Sequence, residues 1–135
     1  MRILEIIDAK KTSKWNQLLR PHDTIEVAAH HLVTNDVGAL VVYDDFDGLV
    51  GILSERDILK GLTRYGAAVM TRLCHELMQP VVVYCSPEDT LAHAVMTMNN
   101  EGIRHLPVME TSRVVGIVSM RDLLAHMPVQ EQRSH

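Results

Sequence analysis

The sequence predicts an α/β (α+β) fold built from two copies of one unit. Three observations predict it. The chain repeats itself, each copy passes from a helical stripe to β-rich runs at the same place, and the same glycine-led segment recurs where the last strand of each copy meets a helix. Aligning Pro21–Asp47 with Pro87–Arg113, and Leu49–Leu59 with Val114–Leu124, gives 13 identical pairs in 38. Chance would supply about two or three. The chain has 135 residues, the size of one ordinary domain. Units of roughly 60 residues are small to stand alone, so the two are expected to bury apolar faces against each other. The boundaries read as a first repeat at 8–66, a connecting helix at 67–80, a second repeat at 81–127 and a polar tail at 128–135.

Each copy reads in the same order. A short strand is expected on entry, at Lys14–Leu18 and at Val81–Tyr84. A helix follows, with Ile25, Ala28, Ala29, Leu32 and Val33 on one stripe, matched by Leu91, Ala94, Val95 and Met98. Asp23 with Glu26 is expected to cap the first of these helices. Next come two β-rich runs around a turn: Ala39–Tyr43 and Leu49–Leu53 flank Asp44–Gly48, and His105–Met109 and Val114–Val118 flank Glu110–Arg113. Pro107 has no N–H, so its strand is expected to be locally open. Helices Glu55–Leu62 and Met120–Met127 close the copies, and Ala67–Met78 reads as a helix that stops before Pro80.

Composition narrows the function. Apolar residues make up 47% and charged residues 22%, which is globular. A formal net charge of −4 and 4% aromatic residues argue against a broad nucleic-acid surface or a base-stacking platform. No window approaches the roughly 18 apolar residues of a membrane span. Arg2, Glu5, Asp8 and Lys10 interrupt the apolar residues at the start, unlike a secretory signal. A cytoplasmic protein is therefore expected, without membrane insertion, and with Cys74 and Cys85 as free thiols. His30 and His31 are adjacent, so they point about 100° apart on a helix and do not chelate together. No histidine shows zinc-like spacing with cysteine, and no metal site is expected. The acidic run Asp44–Asp47 reads as a hairpin turn rather than a calcium loop.

The segments with chemical potential are Gly51-Ile52-Leu53-Ser54-Glu55-Arg56-Asp57 and Gly116-Ile117-Val118-Ser119-Met120-Arg121-Asp122. Ser-x-x-Asp at a helix start is first a capping box. Recurrence at the same place, a glycine three residues ahead and an arginine beside each aspartate point further. A helix N-terminus favours phosphate. A carboxylate accepts from two ribose hydroxyls. Arg56 and Arg121 carry forked donors for phosphate oxygens.

On these residues the chain resembles a tandem pair of cystathionine-β-synthase (CBS) domains, a Bateman module. The likeness runs from about Asp8 to Met127. It rests on the two motifs, Gly38–Val42, Ile103–Val108 and Leu77–Pro80. It implies two β-α-β-β-α repeats packed about a pseudo-twofold axis, with two clefts between them for an adenosine nucleotide. AMP is foremost; ATP, ADP, NAD(H) and S-adenosylmethionine are the other candidates. It places Ser54, Asp57, Ser119 and Asp122 on ribose and phosphate, and Arg104 and His105 on phosphate. Ile103, Pro107 and the entering strand at Val82 would line the adenine pocket. Gly38 and Ala39 stand where Arg104 and His105 do, so the two clefts are expected to differ. Lys14 is a candidate substitute cation there, and Trp15 either stacks on a base or anchors the core.

The expected function is regulatory and not enzymatic. A nucleotide-processing enzyme would need a general base, for which only His105 is placed, and neither cysteine has a base context. The likeness also implies a flat homodimer through the helices, with Ile58, Leu62, Leu123 and Met127 as its surface. The alternative is a ligand-free scaffold that docks on a partner enzyme or transporter.

Overall fold

The structure, a computed structural model, describes residues 1–10, 18–81 and 83–127. Those residues divide into two compact units, 18–81 and 1–10 with 83–127. No helix among the described residues is long and apolar enough to cross a membrane.

In the unit of residues 18–81, helix α2 (Ile25–Asn35) precedes a hairpin of β1 (Ala39–Asp44) and β2 (Gly48–Ser54), and α3 (Glu55–Tyr65) follows. Thr24, not Asp23, caps α2: its hydroxyl accepts from Val27 N at 3.3 Å. Asp23 stands one residue too early and instead accepts from Arg20 N at 2.8 Å, tightening the preceding turn. The hairpin pairs Ala39 with Ser54 and Asp44 with Gly48, and a bulge falls between Val42 and Tyr43. Its turn is closed by Asp44, whose Oδ1 accepts from Phe46 N at 2.7 Å and Asp47 N at 3.1 Å. Those two N–H groups hold the Asp44 carboxyl below its ordinary pKa. Leu19, Ile25, Ala28, Leu40, Val42 and Leu53 are buried in one core.

The other unit repeats this arrangement in α5 (Leu91–Glu101), β4 (His105–Glu110), β5 (Arg113–Ser119) and α6 (Met120–Ala125). The bulge recurs at the equivalent step, Val108/Met109. Thr90 caps α5 as Thr24 caps α2. Helix α1 (Ile3–Lys10) completes this unit, with Ile3 and Ile6 fully buried beside Leu91, Met98 and Leu106.

The hydrogen bonds that dock α1 match those that dock the short helix α4 (Cys74–Leu77) onto the other unit. Ile3 N donates to Asp89 O at 2.9 Å, as Cys74 N donates to Asp23 O at 2.8 Å. Leu4 N donates to Pro87 O at 2.9 Å, as His75 N donates to Pro21 O at 3.0 Å. Glu5 accepts from Arg2 N and Glu76 from Leu73 N. The duplication therefore includes a leading helix, and each leading helix completes the unit of the other repeat.

Beyond the cap of α2, two expectations from the sequence are not met. Residues 67–78 do not form one helix. A 3₁₀ helix (Gly66–Thr71) gives way to α4, because Arg72 is extended and its carbonyl takes Ile25 N at 2.8 Å. The chain then runs as β3 (Gln79–Pro80) along β2. Nor is Val81–Tyr84 a strand. Residues 81, 83 and 84 are unpaired by strand ladders, and Val82 lies outside the described residues. Parallel pairing starts only at Cys85, which donates to Pro107 O at 2.9 Å and accepts from Met109 N at 2.8 Å. One step earlier, the ladder would need an N–H from residue 107, and proline has none. Cys85 pairs with Val108, and Pro107 keeps its register with Ile117 of β5, so the opening lies on the entering side alone. In the other unit, Leu19 pairs with Val42 in the same way, and residues 14–17 lie outside the described residues.

Candidate functional site

Each motif sits where the hairpin's second strand turns into a helix, and the helix start shapes it. At the β2–α3 junction, Ser54 is extended and its hydroxyl accepts from Asp57 N at 3.2 Å. Asp57 Oδ2 returns to Ser54, accepting from its N–H at 2.9 Å and its hydroxyl at 2.9 Å. Asp57 is only 6% exposed, and its Oδ1 accepts from the Gln79 carboxamide at 3.1 Å. At the β5–α6 junction, Asp122 N donates to Ser119 Oγ at 3.0 Å and Asp122 Oδ2 accepts from Ser119 N at 2.8 Å. Asp122 is half-buried.

The strand register brings the predicted flanking residues to these junctions. Ala39 pairs with Ser54 and His105 with Ser119. The carbonyl of Gly38 takes Glu55 N at 2.9 Å, and that of Arg104 takes Met120 N at 2.8 Å. The first orphan amide of each helix is thus already paired. Gly38, Ala39, Ser54 and Asp57 gather in one unit, and Arg104, His105, Ser119 and Asp122 in the other. Arg56, Arg104 and Arg121 have exposed side chains. Ile103 is half-buried against its own unit's core, and Pro107 is buried in β4. Lys14, Trp15 and Val82 lie outside the described residues.

The glycine of the first motif serves the chain itself. A Cβ on Gly51 would meet the Met78 side chain, at 2.9 Å from its Cγ and closer still to its sulfur, and the Gln79 carbonyl at 3.0 Å. Its bare face is covered by the segment that carries Gln79. In the sequence Gln79 belongs to the Leu77–Pro80 run that carries the family likeness, and is not among the candidate site residues. The available signal was its place beside Pro80, where a short strand lays it along the motif.

Other candidate groups are placed differently. Cys74 and Cys85 are buried, and burial pushes both thiols up to about 12, so neither is a ready nucleophile. His22 and His75 meet edge to face at 5.5 Å. No three His, Cys, Asp or Glu residues gather into a metal-binding group among the described residues. Of the apolar residues expected to form a dimer surface, Leu123 is fully buried in its unit's core and is unavailable for contact. Leu62 is exposed, while Ile58 and Met127 are half-buried. Val33 and Leu59, 81% and 60% exposed, flank a groove of about 470 Å³ between α2 and α3.

A duplicated helix–hairpin–helix unit with a capped Ser-x-x-Asp at each strand-to-helix junction defines a tandem-repeat α+β module. The model of one family, the CBS domain, matches residues 18–64 and again 74–129. The chain belongs to that family and is a CBS domain pair. Hypoxic response protein 1 of Mycobacterium tuberculosis is 33% identical over 108 residues, 79% of this chain and 75% of that protein. A CBS-domain protein from Agrobacterium tumefaciens superposes with a TM-score of 0.79 at 29% identity, covering 92% of this chain and 91% of that one. The CBS domain pair of protein MJ0100, solved with 5′-methylthioadenosine and S-adenosyl-L-methionine, gives 0.71 at 27% identity over 80% of this chain and 84% of its own. A Hypoxic Response Protein I structure with two coordinated zinc ions gives 0.74 at 28% identity, covering 95% of this chain and all (100%) of that one.

Proposed function

We propose that this CBS pair is a regulatory module, not a catalyst, that binds an adenosine nucleotide at its motif junctions. AMP is the first candidate, with ATP, ADP and NAD(H) as the others. The observation that carries the reading is the pairing of a serine and a carboxylate at both helix starts, in a family with a member solved on two adenosine compounds. Both compounds carry a ribose, and a carboxylate is an acceptor suited to vicinal hydroxyls. The β5–α6 junction adds Arg104 and His105 beside Ser119, which suits a phosphate. The β2–α3 junction has Gly38 and Ala39 there, so the two are proposed to differ in ligand preference. A cytoplasmic homodimer is the proposed setting.

Thermal melts with AMP, ATP, NADH and S-adenosylmethionine test the reading. A bound ligand at about 100 times its dissociation constant adds roughly 2.7 kcal/mol, a readily visible shift. Asp122→Ala is expected to diminish it, leaving the contribution of the first motif. No shift with any of the four would overturn the nucleotide reading. The apolar groove between α2 and α3 favours a second one, a scaffold that docks on a partner enzyme or transporter. That reading would then stand in its place.

A further inference from the structure

Asp57 is the buried charged residue among the described residues. A carboxylate removed from water needs its lone pairs filled. Ser54 fills Oδ2 from its N–H and its hydroxyl, and that oxygen closes the helix start. Oδ1 is bonded from outside the motif, by Gln79 Nε2 at 3.1 Å. A carboxylate only accepts, so the amide presents its NH2 side. Gln79 is itself exposed, and only its donor end reaches inward. Its backbone is held by pairing with Ile52, by Pro80 opposite Gly51 and by Met78 seated on Gly51.

We propose that the Gln79 carboxamide is a built-in competitor for the ribose-recognising oxygen of Asp57. It occupies the carboxylate oxygen that helix capping leaves over, with the same donor chemistry a sugar hydroxyl would bring. Because Asp57 is only 6% exposed, a ribose hydroxyl reaches that oxygen by taking the place of Gln79. The claim rests on the reading of the motif as a ribose site and adds how that site is regulated. Displacement also loosens β3, whose register on β2 comprises two residue pairs, followed by Val81 N donating to Val50 O at 3.2 Å. Ribose occupancy at the first motif is thereby converted into release of the segment that leaves the first repeat.

The test is calorimetric titration of AMP into the Asp122→Asn chain, which reports the first motif by itself. Adding Gln79→Ala is expected to tighten AMP about two- to tenfold, the effect of one net hydrogen bond no longer competed for. Gln79→Met, which keeps the volume and lacks the donor, is expected to do the same. The gain should vanish with the 2′,3′-dideoxy analogue of AMP, and hydrogen exchange at the Val81 amide should quicken when AMP binds. AMP binding that both Gln79 variants leave unchanged or weaken would overturn the competitor alone. So would an equal gain with the dideoxy analogue. Absence of AMP binding by the wild type and by every variant would overturn the ribose reading and the competitor with it.

Discussion

The two strand-to-helix junctions share glycine, isoleucine, serine, arginine and aspartate at the same spacing, yet they present different carboxylates. Asp57 is 6% exposed and is roofed by Gln79 from β3. Asp122 is half-buried, and its junction is flanked by Arg104 and His105. The motif itself dictates only the helix cap, which is the same in both. What each cap offers a ligand is decided by residues that the motif does not contain, one strand or one segment away. Duplication has supplied two frames, and the surroundings have separated their chemistry.

The widest test of this comparison concerns the exchanged leading helices. Ile6→Ala removes a fully buried side chain from the core that Leu106 and Met98 share. It is expected to cost about 2–5 kcal/mol. Hydrogen exchange should quicken at Leu106 and its neighbours and leave Leu40 protected. Equal acceleration at Leu40 and Leu106 would break the division into two units.

A smaller effect is expected at the first junction. Gly51→Ala drives a methyl into Met78 and the Gln79 carbonyl, at about 1–3 kcal/mol in urea denaturation. Met78→Ala in the same chain should recover part of that loss. No recovery would mean that Met78 is not what Gly51 accommodates.

The smallest effect lies in the first hairpin turn. The folded pKa of Asp44 is below its unfolded value, so its carboxylate stabilises the fold above about pH 3.8, and that stability is lost as the pH falls through the folded pKa. Wild type and Asp44→Asn should therefore differ in melting temperature at neutral pH and converge below that value. A constant difference across the range would sink the assignment. The second hairpin carries Glu110 at this place and Thr111 at φ 60°, so it turns by other means.

Much of the fold was legible because it is local. The β-rich runs Ala39–Tyr43 and Val114–Val118 predict strands, and the stripe from Ile25 to Val33 predicts a helix. Hairpins and helix caps depend on residues a few positions apart, which a sequence shows directly. The exchanged helices were not legible. Their equivalence needs an offset of 71, and among the docking residues only Glu5 and Glu76 are identical. Ile3 stands where Cys74 stands and Leu4 where His75 stands, since docking uses backbone groups that any side chain permits. The site was legible in the same measure. Ser54, Asp57, Ser119 and Asp122 declare themselves by recurrence. Gln79 does not, because it comes 22 residues after the carboxylate it covers. Asp23 and Thr24 are both good caps by type, and only the backbone at Thr24, φ −75° and ψ 160°, decides between them.

The exchange of leading helices has a consequence for synthesis. Helix α1 is synthesised well ahead of the surfaces that bury Ile3 and Ile6, which belong to residues 83–127. At about 5–20 residues per second, those two isoleucines wait several seconds in water with nothing of their own to cover them. Residues 18–81 meet no such delay, because α4 follows directly behind the unit it closes. The nascent chain therefore completes residues 18–81 before it buries α1, and a chaperone that holds exposed aliphatic segments would find its target in α1 during that interval.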